Sequence, residues 1–280
     1  MTTSFENGDL IAFCVIGSIS IFLSSVVIIG ILRIGLRSKW SQLIFFLQLT
    51  LLLAEVFSFP SIYTGSVTLC KADSALRQYF TISNLVANCF LSFATYPMIF
   101  SSLEDKNNFS MLAYALIILV PIPFLFGFAA YGQSGSLFCS FNDTDDGTKW
   151  NLAFMVCGAV INLTAIGANA YIISKLLKDG KQNMNLIYRV MRGSTLYCLF
   201  TVGFWIPKLF TLQFGEVTNA SVGLQTSPFF TFFTGFAYFL IFVVERENMV
   251  LFESQLSDVP SDGSIQGSIN LSILHRDSLM

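Results

Sequence analysis

The chain has 280 residues, of which 54% are hydrophobic and 11% charged, with a formal net charge of −2 and a mean hydropathy of +0.68. Soluble domains lie near ~25% charged and ~45–50% apolar, so a soluble enzyme is excluded, and this charge balance offers no polybasic surface for nucleic acid. The composition is that of an integral membrane protein, with the lipid bilayer as its first partner.

A helix needs about 20 mostly apolar residues to cross the hydrocarbon. Seven stretches meet that need, which predicts an all-α bundle of seven transmembrane helices. Leu10–Leu32 carries no charge, and Leu43–Val67 carries one, Glu55. Gln78–Ser102 is more polar, with Asn84 and Asn88, as expected of a helix facing its neighbours. Met111–Tyr131, Leu152–Leu177, Gly193–Leu212 and Val222–Val244 complete the set. Residues 1–252 form the seven-helix domain, which closes on a short interfacial helix: Met249, Phe252 and Leu256 fall at i, i+3 and i+7. Residues 253–280 are rich in serine and poor in apolar residues, which predicts a disordered cytoplasmic tail open to phosphorylation.

Lys and Arg set the direction. With the N-terminus outside, eleven of the fifteen basic residues border the cytoplasm, among them Lys106, Lys178, Arg189, Arg192 and Arg246. Lys71, Arg77, Lys149 and Lys208 remain outside. Before the first stretch the chain carries Glu6 and Asp9 and no basic residue, unlike a signal peptide. The expected location is a cell membrane crossed several times, with an extracellular N-terminus and a cytoplasmic C-terminus. Cys14, Cys89, Cys157 and Cys198 fall within spans; Cys70 and Cys139 fall in exterior loops, on the oxidising side. A bridge between them would tie the exterior loop across the mouth of the bundle, and two unpaired thiols are the alternative. The sequons at Asn142 and Asn219 are exterior and open to glycosylation; those at Asn108, Asn162 and Asn270 are interior or within a span.

Seven spans, an exterior N-terminus, short loops and that cysteine pair resemble a G-protein-coupled receptor over about residues 9–250. Among receptor groups the chain looks most like the cyclic-AMP-receptor-like group. Phe59-Pro60-Ser61-Ile62 resembles a Phe-Pro-Ser element of that group, and Tyr96-Pro97-Met98-Ile99 resembles its Tyr-x-Met sequence. Phe204-Trp205-Ile206-Pro207 resembles the rhodopsin-like Cys-Trp-x-Pro switch, with Phe in place of Cys. No Asp-Arg-Tyr closes the third stretch and no Asn-Pro-x-x-Tyr closes the seventh, which argues against the rhodopsin-like class. The resemblance implies a receptor that senses an extracellular ligand and activates a heterotrimeric G protein, with Tyr96, Trp205 and Pro207 among its activation residues.

Glu55 is the one acidic residue deep in a span. Such a carboxyl faces the bundle interior, either as a polar switch or ion site or as a neutral group bonded to Ser or Asn of a neighbouring helix. Pro207 kinks its helix beside Trp205. Arg77, Lys149 and Lys208, with Lys71, could hold a small anionic ligand such as a nucleotide phosphate; equally, they could merely flank spans, neutralised by Asp73 or Asp146. Lys178, Arg189 and Arg192 line the loop where a G protein would dock, and simple inside-positive topology also explains them. No catalytic residue, cofactor or metal cluster is expected: the single histidine, His275, lies in the tail, and Val222–Val244 holds no Lys for a retinal Schiff base. A seven-span solute transporter is the rival function.

Overall fold

The computed structural model describes residues 7–36, 38–58, 66–100, 106–133, 139–141, 144–179, 191–203, 205–206 and 221–257. The chain is almost wholly helical there. Helix α1 (Asn7–Ile34) leads to α2 (Lys39–Val56) through a tight turn. Gly35 makes that turn possible: its φ of 122° is one that side-chain-bearing residues rarely adopt, and its N–H donates to Ile31 O at 2.9 Å, closing α1. Ser38 then opens α2 as its N-cap, its hydroxyl accepting from Ser41 N at 3.0 Å. Helix α3 (Val67–Phe100) is followed by α4 (Lys106–Leu119) and a short α5 (Ile122–Phe126). Pro121 lies between the last two, where the missing proline N–H ends α4 and starts α5.

A 3₁₀ turn, Gly127–Ala130, feeds strand β1 (Tyr131–Gln133), which pairs antiparallel with β2 (Cys139–Phe141). The register sets Tyr131 opposite Phe141 and Gln133 opposite Cys139. This hairpin packs on the first half of α3 and marks one end of the bundle. Helix α6 (Asp145–Asp179) runs away from it. Residues 191–203 and 205–206 are helical and return (α7), and α8 (Ser221–Ser257) runs to the far end again.

Burial is distributed as lipid, not water, would dictate. Ile11, Val15, Ile19, Phe22 and Val26 of α1 and Leu152, Val156, Val160 and Leu163 of α6 are exposed. Ser20, Ser24, Gln48, Asn84, Asn88, Ser92 and Asn169 are buried. Polar groups turned inward and apolar ones outward satisfy hydrogen bonding where no water reaches.

The bounds of several elements differ from the expected stretches. Among the described residues, three helices are long and apolar enough to cross a membrane: Cys14–Ile34, Lys39–Val56 and Asp145–Lys178, with Met111–Phe126 a shorter apolar stretch. The second predicted stretch stops at Val56, and Val67 belongs to α3, so Cys70 lies inside a helix rather than in a loop. The stretch Met111–Tyr131 is broken at Pro121, and its last residue is a strand residue. The segment between the fourth and fifth predicted stretches contains a hairpin that hydrophobic periodicity does not reveal, because its strands are three residues long. In place of a separate short helix after Val244, one helix continues to Ser257, and Met249 is wholly buried in the core.

Candidate functional site

Polar ties join the helices at three levels. At the middle, Asn84 of α3 donates its amide to Leu47 O of α2 at 2.6 Å and to Thr50 Oγ1 at 3.3 Å. Tyr238 of α8 donates to Asn84 Oδ1 at 3.3 Å and shares a 2.7 Å hydrogen bond with Thr201 of α7. Four helices are thus linked by one chain of neutral groups. Asn169 of α6 donates to Ser92 of α3 at 2.8 Å and accepts from Ser194 of α7 at 3.2 Å, linking three.

A cavity of about 30 Å³ sits beside the first chain, lined by Leu51, Ala54, Thr81, Asn84, Leu85, Thr201, Trp205, Thr231 and Thr234. It has room for about two waters. Its polar lining is neutral, hydroxyl and amide, so as it stands it offers hydrogen bonds and no charge.

Behind the cavity, Glu55 is fully buried. Ser20 of α1 donates to Glu55 Oε1 at 2.6 Å, and the same hydroxyl lies 2.8 Å from Phe232 O of α8. Ser24 of α1 lies against the same carboxyl, and among the described residues Glu55 Oε2 is buried with no hydrogen bond of good geometry. A hydroxyl donated to Oε1 is compatible with either expectation for Glu55, a polar switch or a structural tie between helices. Gly235 permits this arrangement: a Cβ there would overlap Ser20 Oγ and Glu55 Oε1 and lie 3.2 Å from Ser24 Oγ.

At the far end, Arg192 Nε of α7 donates to Glu245 Oε1 of α8 at 2.8 Å. The Glu245 side chain is 1% exposed and that of Arg192 35%. Trp40, wholly buried at the start of α2, backs this pair through Gly193, where a Cβ would lie 3.1 Å from the indole and 3.4 Å from the Glu245 carboxyl carbon. Nearby, Lys175 of α6 donates to Tyr96 OH of α3 and lies 4.7 Å from the centre of its ring.

At the hairpin end, Arg77 is buried beside Asp73 and Tyr131. Burial pulls the guanidinium down to about 10, opposed by Tyr131 and Asp73, so it stays charged at neutral pH. Burial likewise pushes the Asp73 carboxyl up, against the pull of Arg77. Lys149 is highly exposed and lies 4.0 Å from Asp146, a pair worth at most about 1 kcal/mol. The free cysteines among the described residues are Cys14, Cys89, Cys157 and Cys198; Cys70, 6% exposed, is not one of them. The same hairpin that carries Cys139 packs against α3, the helix of Cys70.

The structure therefore brings Trp205 to the cavity wall and Glu55 close behind it, but Arg77 and Lys149 do not line the cavity. Lys178 is exposed at the end of α6, while Arg192 is already engaged by Glu245. Pro207, Lys208, Arg189, Asn142, Asn219, the side chain of Cys139 and residues 258–280 lie outside the described residues. Sequence reasoning missed Thr201, Tyr238, Asn169 and Glu245. Their signal was an isolated hydroxyl, amide or charge in or just after an apolar run, which is too common to single them out.

This arrangement defines a class, a bundle with a G-protein-coupled-receptor-like fold. No protein-family model and no curated protein matches the chain. Among solved structures it is similar to squid rhodopsin, with 14% identity, a TM-score of 0.66, and coverage of 88% of this chain and 78% of that one. The multi-pass membrane character read from composition agrees with that fold and with the apolar helices.

Proposed function

We propose that this protein is a G-protein-coupled receptor that senses a small extracellular ligand and activates a heterotrimeric G protein. The observation that carries the reading is the cavity walled by Trp205 together with Asn84 and Thr201, two members of the Asn84–Tyr238–Thr201 chain that joins α2, α3, α7 and α8. A ligand that moves the indole shifts a network shared by four helices, and a shared network with two arrangements is what couples distant sites.

In this reading seven helices cross the cell membrane, the N-terminus and the hairpin face outward, and the C-terminus is cytoplasmic. Ligand entry is at the hairpin end, where Arg77, Lys149 and Lys208 attract an anionic ligand before it reaches the neutral cavity. Cys70 and Cys139 form a bridge that holds the hairpin over the mouth, and Asn142 and Asn219 carry glycans. Glu55, Tyr96, Trp205 and Pro207 are the activation residues; the sixth span pivots at Pro207. Lys178, Arg189 and Arg192 receive the G protein, Arg192 after it leaves Glu245. Residues 1–252 are the receptor body and 253–280 its regulatory tail. The Tyr96 and Phe59-Pro60-Ser61 sequences support the cyclic-AMP-receptor-like group as the subgroup.

Nucleotide exchange on added Gα subunits, screened against small ligands with the protein in nanodiscs, tests this directly. Ligand-stimulated exchange on any Gα is the expected result. Solute flux through vesicles without any exchange activity would replace the receptor with a transporter.

A further inference from the structure

Trp205 owes its place to a residue on another helix. It is 4% exposed, and one side of its indole faces the cavity. The other side lies against the backbone of α6 at Gly158. A Cβ built there would overlap Trp205 Cζ2 and stand 2.5 Å from Cε2 and 2.6 Å from Cη2. These atoms belong to the body of a rigid ring rather than the tip of a flexible chain, so no rotamer change of a terminal atom relieves the overlap. Carbon atoms pack at about 3.5–4.0 Å, so any side chain at Gly158 must push the indole by about 1 Å or more. Phe154, one turn earlier on α6, has its ring centre 5.3 Å from that of Trp205. It also touches Phe141 of the hairpin at 5.9 Å and Phe124 at 5.5 Å. That aromatic cluster blocks movement towards the hairpin, and the cavity is the space left.

We infer that Gly158 is the positioning residue for Trp205: the missing side chain is a slot that seats the indole against α6 and so sets the size of the cavity. A cavity of about 30 Å³ has little volume to lose, so seating depth governs which ligands enter. The inference rests on the receptor reading for its meaning, but the slot itself is tested without any G protein.

The test compares Gly158→Ala with the parent, each with Trp205 and with Trp205→Phe, as purified protein in nanodiscs. Phe lacks the outer ring that carries Cζ2 and Cη2, so it removes the overlap. With Trp205 present, Gly158→Ala should shift tryptophan emission to longer wavelength as the indole enters the Thr- and Asn-lined space. With Trp205→Phe that difference should vanish. If Gly158→Ala fails to fold, Trp205→Phe should restore folding. A spectral change that persists in the Trp205→Phe background overturns the inference, as does a folding defect that Trp205→Phe does not relieve, or unchanged emission with Trp205 present. Basal nucleotide exchange on Gα, measured on the same variants, should change by about 5-fold or more. A spectral coupling without any exchange from parent or variant leaves the slot standing and removes the receptor reading.

Discussion

Replacing Glu245 with Gln removes the charge that holds α7 to α8 at the far end. The pair is short, at 2.8 Å, and its acid is 1% exposed while its base is 35% exposed. Two charges about 4 Å apart interact by about 4 kcal/mol at an effective dielectric constant near 20. Solvent reaches a third of Arg192, and desolvation offsets part of the attraction, which leaves about 1–2 kcal/mol. The amide keeps one hydrogen bond to Arg192, so Glu245→Gln tests charge rather than shape. If the pair holds the resting arrangement, that energy raises the open fraction about 5–30-fold, and basal exchange on Gα rises with it. Arg192→Gln should act alike. The reversed pair, Arg192→Glu with Glu245→Arg, should restore part of the low basal rate, because the two sites are in contact and their effects are not additive. Basal exchange unchanged in both single variants, with thermal stability also at the parent value, would refute this account of the pair.

Glu55→Gln preserves hydrogen bonding to Ser20 but cannot titrate; it should alter basal exchange and its pH dependence while leaving expression at the parent level, and a match to the parent in all three makes Glu55 structural. Gly235→Ala forces a methyl into Ser20 and Glu55 and should cost about 1–3 kcal/mol, read as a lower midpoint in thermal unfolding; an unchanged midpoint contradicts the packing described there. Cys70→Ser and Cys139→Ser should lose ligand response equally, the double variant being no worse than either, since a bridge is lost once. Mass spectrometry that finds both thiols free in surface-expressed protein would end that proposal.

Membrane character could be read from the sequence alone, because it depends on summed transfer energy and needs no knowledge of contacts. So could the burial of Glu55, since a lone carboxyl in an apolar run has nowhere else to go. The hairpin was hidden because strands of three residues carry no usable period. Tertiary structure alone decided the partners. Arg192 reads as a loop cation until α8 brings Glu245 against it, 53 residues away. Gly158 reads as one small residue among many on a membrane helix until α7 lays an indole across it. Hydropathy is a property of each residue by itself, whereas an ion pair or a steric slot belongs to two helices and exists only once they are packed.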